Sequence, residues 1–279
     1  MSSNAPATLV ACLVLLLAGC RPAEGPPEAP PQPALMLYCG AGLRWPVAEL
    51  AEEFGRRHNV QIECDYAGSE LLLSRIKLTG QGDLYMPGEV FYVEQAEAEG
   101  LVAEKTTVCY FVPVILVQKG NPKGIRTLQD LLQAGVKFGL GDIQACAIGR
   151  TCEQIFQRTG IREEEVEGRV SFRALTVNEL GMNVAVGSLD AAIVWDAVAA
   201  NFADKTETVA IPAGQNVVST VAAGVLRSSR QPELARQFVA LLTSPEGQAV
   251  FAKHHYTTSP PETPKSGSAA HGTPAGGEP

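Results

Sequence analysis

Positive charge and long apolar runs are both scarce in this sequence of 279 residues. Lys and Arg number 22 against 30 Asp and Glu, so the formal net charge is −8. A nucleic-acid-binding protein needs a basic surface to neutralise phosphates, and the acidic balance excludes that class. No apolar run approaches the roughly 18 residues that a helix needs to span a bilayer. With 46% hydrophobic and 19% charged residues, the composition is that of a folded globular protein.

Motifs for bound cofactors are missing as well. The sequence has neither a GxGxxG pattern nor a GxxxxGK pattern followed by Ser or Thr, so nucleotide binding has no support. No CxxC or Cys/His spacing indicates zinc, and the four histidines are scattered along the chain. We therefore predict that the protein carries no cofactor and that a bound small molecule is a ligand.

Five of the seven cysteines fall between residues 35 and 257. An exported protein can keep disulfides, but an odd number leaves at least one thiol free or paired elsewhere. Cys146 with Cys152, and Cys39 with Cys64, are the two candidate pairings. The alternative is that these cysteines are small buried hydrophobic residues.

The two ends of the chain differ from its middle. Residues 9–18 are ten consecutive apolar residues, which is the length of a signal-peptide core. Residues 17–20 have the sequence LAGC, which resembles the lipobox of bacterial lipoproteins. We predict a signal peptide over residues 1–19 and a lipid on Cys20. Because residues 1–19 contain no Lys or Arg, an ordinary cleaved signal peptide stays open as an alternative. Six prolines in residues 21–34 predict an extended spacer, and the composition of residues 258–279 predicts a disordered tail.

Strand and helix patterns alternate through the remaining residues 35–257. The apolar run at 35–39 predicts a buried strand, and Pro46 starts a helical pattern that Gly55 is expected to end. Ser69 is expected to cap the next helix. Such alternation indicates βαβ units in mostly parallel sheets, and more than 200 residues suit two lobes better than one.

Later parts of the chain carry clearer signals. Thr176 and Glu179 form a capping box, which marks the start of a helix between them. Pro232 and Pro245 each occupy the first position of a helical pattern. The run at 108–117 is rich in β-branched and aromatic residues and predicts a long strand.

Several stretches resemble those of one protein family, in the same order. They are YCGAGL at 38–43, YAGS at 66–69, GDLY at 82–85, QKGNPKGI at 118–125, LQDL at 128–131, FGLGD at 138–142 and SPEGQ at 244–248. Together they resemble the periplasmic solute-binding proteins of bacterial ABC importers, most closely the molybdate/tungstate-binding family. The resemblance covers about residues 37–256.

This resemblance implies an α/β fold of two lobes, the type II-like periplasmic-binding-protein fold, with the ligand in the cleft between the lobes. The first lobe would comprise residues 35–113 and 222–257, and the second lobe residues 114–221. Residues 20–34 would be the lipidated cysteine and its linker.

The family's function follows as an expectation from the same resemblance. The protein would be a monomeric receptor, not an enzyme, that closes by a hinge motion around a small oxyanion. Molybdate or tungstate is the expected ligand, and ABC permease subunits are the expected partners. The receptor would be a membrane-anchored lipoprotein of the cell envelope, facing the periplasm or the exterior.

The resemblance also implies ligand contacts at six candidate positions. A tetrahedral oxyanion is held by backbone N–H groups at helix N-termini, where the helix dipole favours negative charge. Of the family's three side-chain hydroxyls only that of Ser69 is kept, since Gly42 offers an N–H alone and Trp195 donates through Nε1 but cannot accept. The remaining contacts would be backbone ones, at Ala147 or Ile148 and at Val177. The residues that take these positions are Gly42, Ser69, Ala147, Ile148, Val177 and Trp195.

Simpler explanations stay open for three of these residues. Ser69 would serve only as a helix cap, Gly42 would only permit a tight turn, and Trp195 would only pack in the core.

Five further residues flank the same loops. Arg44 could supply a charge-assisted hydrogen bond to an anion. Glu70 and Asp196 are expected at the solvated rim, where together they would suit a cation or an expanded metal–oxo centre. Cys39 and Cys146 lie near the cleft loops, and a thiolate there would select a soft ligand.

Three other functions stay open. Tyr38, Tyr66 and Tyr85 lie near cleft loops, so the first alternative is a receptor of the same fold for a metal cation or another anion. An exported enzyme would need a nucleophile with an adjacent base, and Ser69 has no histidine near it in sequence. A sensory domain that binds the anion without transport is the third. Residues 35–257 hold 20 Lys and Arg against 26 Asp and Glu, so an anion would have to be recognised locally.

Overall fold

The computed structural model describes residues 33–261; the predicted signal peptide, Cys20, nearly all of the linker and most of the tail lie outside that range. The strands are β1 Ala34–Gly40, β2 Gln61–Ala67, β3 Leu84–Met86, β4 Val102–Phe111, β5 Pro113–Gln118, β6 Phe138–Gly141, β7 Val170–Ala174, β8 Ala191–Trp195, β9 Thr206–Ala210 and β10 Ser219–Leu226. The helices are α1 Arg44–His58, α2 Ser69–Thr79, α3 Val90–Ala98, α4 Ala147–Thr159, α5 Glu163–Glu167, α6 Val177–Ala185, α7 Asp196–Ala200, α8 Pro232–Thr243 and α9 Pro245–Lys253. None of the helices within residues 33–261 is long and apolar enough to cross a membrane.

Two five-stranded sheets organise this part of the chain. The first has the order β2-β1-β3-β10-β4 and the second the order β7-β6-β8-β5-β9. The chain passes between the sheets at Val112 and again over residues 211–218. Each sheet with its packed helices is one lobe, which confirms the predicted two-lobed α/β fold. The exact boundaries assigned to the lobes in the sequence stay a prediction.

The sheets are mixed, which corrects the expectation of mostly parallel sheets. Each sheet has two parallel and two antiparallel strand pairs. The βαβ part of each lobe is parallel, but β5 and β10 enter from the other lobe and run against their neighbours. The run at 108–117 is likewise divided at Val112 between β4 and β5, because the chain changes sheets there.

Local signals in the sequence correctly predicted where several helices begin. Pro232 and Pro245 both lie at the first helical position of α8 and α9, as predicted. The Ser244 hydroxyl caps α9 by accepting a hydrogen bond from the amide of Gly247 at 3.1 Å. Thr176 caps α6 by accepting from the amide of Glu179 at 3.4 Å, so the capping signal is confirmed.

Helix α1 begins before Pro46 and continues through Gly55, where the sequence predicted its end. It closes at Asn59, which adopts a left-handed φ of 51°. A Cβ on Gly55 would lie 2.8 Å from the carbonyl oxygen of Val60. Glycine is therefore present because the returning chain approaches the helix closely, not because it stops the helix.

All five cysteines within residues 33–261 are free thiols, so neither candidate pairing forms. Strand register places Cys64 beside Leu37 and not beside Cys39, and such diagonal neighbours are too far apart to bridge without backbone movement. The Cys146 thiol donates to a backbone carbonyl instead. Burial of Cys39, Cys146 and Cys152 fits the alternative of small hydrophobic residues.

We expect Gly55→Ala to destabilise the protein. Alanine favours a helix over glycine by about 1 kcal/mol, but the added methyl group must displace the backbone of Val60, and overpacking costs about 1–3 kcal/mol. Urea unfolding should show a net loss of up to about 2 kcal/mol. Gly214→Ala is the matched control, since a Cβ there meets nothing within 4 Å. A Gly55→Ala protein as stable as the parent would contradict the close-approach explanation.

Candidate ligand-binding site

A small cavity lies between the two lobes at the carboxyl ends of their strands. It is lined by loops that follow β1, β2, β3, β6, β7 and β8, the edge at which open α/β sheets bind ligands. The volume within which the centre of a water-sized sphere can move is about 20 Å³. Adding the sphere's own radius of about 1.4 Å gives a void about 3 Å in radius. That space suits one small ion.

The structure brings together the six residues to which the resemblance assigns ligand contacts. All of them line this cavity: Gly42, Ser69, Ala147, Ile148, Val177 and Trp195. The first two belong to the first lobe, and the other four belong to the second. Their contact with a ligand stays a prediction.

Four buried backbone N–H groups at the helix N-termini around the cavity have no partner among the described residues. They belong to Ser69, Ala147, Ile148 and Val177, the first or second residues of α2, α4 and α6. Each of these residues is at most 4% exposed. A buried unpaired amide is rare, since it costs about as much as a lost hydrogen bond. Because helix N-termini also carry a positive dipole, these amides favour an anion as their acceptor.

Ser69 supplies a side-chain hydroxyl to the cavity. Its Oγ accepts from the amide of Gly88 at 3.1 Å, and its carbonyl accepts from the hydroxyl of Tyr85 at 2.8 Å. The Ser69 hydroxyl proton is thus left to donate to a ligand. The expectation that Ser69 caps α2 is wrong: Gly68 is the N-cap and Ser69 the first helical residue, because its Oγ bonds the neighbouring loop and not its own helix.

Trp195 and Gly42 fit each other across the cleft. Trp195 is 2% exposed and stacks on Phe111, with ring centroids 4.8 Å apart and 6° between planes. No hydrogen bond within residues 33–261 uses its indole Nε1, which leaves this donor for the cavity. A Cβ on Gly42 would lie 3.0 Å from Val177 Cγ1 and 3.3 Å from Trp195 Cδ1. Side chains of the second lobe therefore occupy the space that a serine at position 42 would need.

None of the described residues that line the cavity is charged. Cys146 lines it, but its Sγ donates to the Ala174 carbonyl at 3.6 Å, and burial raises its pKa to about 12. Cys39 lies outside the lining, and burial raises the pKa of its thiol well above the usual value. Burial thus favours the neutral thiol at both positions, and a soft-ligand role for these cysteines stays a prediction.

The three other flanking residues also lie outside the cavity lining. The Arg44 guanidinium is exposed and stacks 4.2 Å from the centroid of the Tyr66 ring. Glu70 is half-buried at the start of α2. Asp196 is half-buried as well, and its Oδ1 accepts from the amide of Val112 at 3.2 Å, where the chain passes between the lobes. Burial raises the pKa of the Asp196 carboxyl.

The tyrosines of the metal-receptor alternative do not line the cavity either. The Tyr38 hydroxyl lies 3.4 Å from the Thr79 hydroxyl, and the Tyr66 hydroxyl is buried. Burial raises the pKa of Tyr66 and Tyr85, which are therefore neutral phenols. Among residues 33–261, no group of three or more His, Cys, Asp and Glu side chains could hold a metal ion.

Direct contacts hold the two lobes in a closed arrangement. The Asn178 side-chain amide donates to the Ala41 carbonyl at 3.1 Å, and the Glu70 amide donates to the Ala145 carbonyl at 3.0 Å. Each bond joins one lobe to the other, next to the cavity.

A cross-lobe ion pair lies close by and was not predicted from the sequence. Arg150 of α4 bonds Glu89 of the first lobe at 3.1 Å and stacks 3.8 Å from the centroid of the Phe91 ring. Burial raises the pKa of Glu89, whereas Arg150 lowers it. The sequence also missed Gly88 and Phe111 in the lining. The Pro-Gly turn after the third strand was a usable signal for Gly88, but nothing local marked the others.

The chain belongs to the family of bacterial extracellular solute-binding proteins, whose model matches residues 35–257. This confirms the predicted class: a solute-binding receptor of an ABC importer, with a periplasmic location, and not an enzyme. A binding protein of Haemophilus influenzae is 30% identical over 217 residues, which are 78% of this chain and 88% of that protein. The molybdate-binding protein ModA of Mycobacterium bovis is 28% identical over 255 residues, 90% of this chain and 93% of its own length.

Solved structures share the fold. The periplasmic molybdate-binding protein of Azotobacter vinelandii superposes with a TM-score of 0.68 at 15% identity, covering 80% of this chain and 98% of that one. The sulfate-binding protein SubI of Mycobacterium tuberculosis superposes with a TM-score of 0.69 at 20% identity, covering 82% and 88%. Two proteins named for different anions are thus about equally similar, and the shared fold does not choose between their ligands.

We expect Gly68→Ala to block closure of the lobes while leaving the fold intact. The new Cβ would lie 2.4 Å from the Ala145 oxygen and 2.5 Å from the Leu175 oxygen, both in the second lobe. The backbone of Gly68, at φ −68° and ψ 149°, is open to alanine. Unfolding of the ligand-free protein should be unchanged, whereas interlobe distances from spin labels should stay long when oxyanions are added. Gly214→Ala should close normally, and a Gly68→Ala protein that closes would refute the steric explanation.

Proposed function

We propose that this receptor captures molybdate or tungstate in the interlobe cavity and delivers it to the ABC permease subunits of an importer. We also propose that a lipid on Cys20 holds it at the membrane. The observation that carries the ligand assignment is the set of four buried, unpaired amides at three helix N-termini. Similarity to a molybdate-binding relative over most of both chains supports the same ligand.

The chemistry of the cavity favours an oxyanion that carries no proton. Every polar group identified for the ligand is a donor: the four amides, the Ser69 hydroxyl and the Trp195 indole. No carboxylate lines the described cavity to accept a proton. Molybdate, tungstate and sulfate are fully deprotonated at neutral pH, whereas hydrogen phosphate must donate its proton to an acceptor. An unmatched donor costs about 1–3 kcal/mol, so phosphate should bind about 5- to 150-fold more weakly.

Sulfate is the competing ligand that this chemistry leaves, because it has the same charge and shape as molybdate and is smaller. The sulfate-binding structure shares only the fold, at 20% identity. The molybdate-binding relative matches 93% of its own length at 28% identity. We therefore place molybdate and tungstate first and treat preferential sulfate binding as the outcome that would overturn this order.

Fluorescence of Trp195 gives the direct test. The protein has two tryptophans, and Trp45 is 48% exposed, so Trp45→Phe leaves Trp195 as the reporter in the cavity. Titration at neutral pH should give saturable changes with molybdate and tungstate, weaker binding of sulfate, and the weakest binding of phosphate. Absence of binding by all four anions would refute the proposal.

Two substitutions test the side-chain donors, with calorimetry as the readout. Ser69→Ala should weaken molybdate binding by about 10–100-fold, since a hydrogen bond to a charged group is worth about 1.5–3 kcal/mol. Trp195→Phe keeps the stacking on Phe111 but removes the N–H, and we expect a loss of similar size. Ser171→Ala, at an exposed serine of the second sheet, is the control. Unchanged affinity in Ser69→Ala would argue against contact between its hydroxyl and the ligand.

The lipid anchor has its own test because Cys20 lies outside the described residues. The full-length protein should partition with membranes, and mass spectrometry should find a diacylglyceryl group on the Cys20 peptide. Cys20→Ser should release the protein or leave it unprocessed. An unmodified chain cleaved at another site would instead support an ordinary signal peptide.

A further inference from the structure

A second cavity lies in the second lobe beside α4, apart from the ligand cavity. We name it the second-lobe groove, and its free space for the centre of a water-sized sphere is about 440 Å³. Ile143, at its edge, is 42% exposed. The floor is apolar, and each of its residues is at most 5% exposed: Leu140, Cys152, Phe156, Ile161 and Val166.

The rim of the second-lobe groove is acidic. Both of its arginines are already paired: Arg162 Nε lies 2.7 Å from the carboxylate of Glu165, and Arg173 bonds Glu167. No ion pair in the described part of the chain uses the other three glutamates of the rim, which are Glu153, Glu163 and Glu164. Three negative charges therefore lie without an ion-pair partner beside an apolar floor. The charged rim residues are Glu153, Glu163, Glu164, Glu167, Arg162 and Arg173.

The complement of such a groove is defined by its chemistry. An aliphatic or aromatic side chain would cover the apolar floor, and a Lys or Arg beside it would neutralise the rim. An anionic membrane surface would be repelled by the same carboxylates. We propose that the second-lobe groove docks a basic protein segment with an apolar anchor side chain, presented by the ABC permease.

The position of α4 explains why the permease is the partner. Ala147 and Ile148 at its start line the ligand cavity, whereas Glu153 farther along lines the groove. Between them, Arg150 pairs with Glu89 of the first lobe. A partner seated in the groove therefore contacts the helix that both faces the ligand and joins the lobes. The permease must recognise the loaded receptor, so the partner's identity rests on the proposed function.

Charge reversal tests the rim. The double variant Glu163→Lys, Glu164→Lys is compared with the double variant Glu52→Lys, Glu63→Lys. The control changes two exposed glutamates of the first lobe, so both double variants have the same total charge. The full-length receptors are added to the permease–ATPase complex in liposomes, and ATP hydrolysis is measured. The half-maximal receptor concentration should rise about tenfold for the groove variant and less than about twofold for the control. Equal effects in both variants, or none in the groove variant, would overturn the proposal.

The apolar edge is tested separately. Ile143→Ser should raise the half-maximal concentration about fivefold, whereas Leu78→Ser, at a first-lobe residue 86% exposed, should not. A photoreactive side chain at Gln157, which lines the groove, should cross-link to a tagged permease subunit. The cross-link should weaken when Glu163 and Glu164 are replaced by lysine. Docking at the groove would be contradicted if the parent receptor gave no cross-link, or if charge reversal left the cross-link unchanged. The parent cross-link decides the question even where a variant misfolds.

Titration of molybdate into the same samples separates this proposal from the ligand assignment. Groove variants that bind molybdate like the parent but stimulate ATP hydrolysis weakly support docking at the groove. A parent receptor that stimulates hydrolysis and cross-links without binding molybdate contradicts the ligand assignment and leaves the docking proposal supported. Groove variants that stimulate like the parent refute docking, whichever anion binds.

Discussion

The site depends on one constraint, which is that four buried amides need a hydrogen-bond acceptor that they can share. No carbonyl or side chain within residues 33–261 meets the N–H groups of Ser69, Ala147, Ile148 and Val177. Leaving a buried donor unpaired costs about 1–3 kcal/mol, so an anion that meets all four at once stabilises the closed state. The helices that carry these amides come from both lobes. In the proposed function, closure and binding would therefore be one event, and the empty receptor would lower its energy by opening to water.

Recognition through the backbone also explains how the site tolerates unusual side chains. An N–H group is presented by any residue except proline, so Ala147, Ile148 and Val177 need no polar side chain. Glycine is required elsewhere for a different reason. At Gly68, carbonyls of the second lobe approach to distances that exclude a Cβ, whereas at Gly42 a Cβ would fit only tightly against the side chains of Val177 and Trp195. Gly42 and Trp195 both depart from the pattern of the molybdate-binding family, and the small residue leaves room for the large one.

Local chemistry in the sequence predicted the parts of the fold that local chemistry controls. The proline starts of α8 and α9 and the Thr176 cap were correct, because capping involves only neighbouring residues. Failures came where distant segments meet. Gly55 is a glycine because of Val60, and the mixed sheets follow from strands that arrive from the other lobe.

The candidate site divides in the same way. The family resemblance assigned six residues that share one cavity, whereas the roles of Asp196 and Arg150 depend on partners far away in sequence, Val112 and Glu89. No spacing rule reveals such pairs.

The division of donors between the lobes has a consequence for release. Of the four unpaired helix N-terminal amides only that of Ser69 belongs to the first lobe, which also offers the Ser69 hydroxyl and the Gly42 N–H, while the other three and the Trp195 indole belong to the second. When the lobes part, a bound anion would lose the first-lobe donors and keep those of the second lobe. In the proposed function, opening would therefore weaken binding without removing every contact, and full release would need the second-lobe hydrogen bonds to break as well.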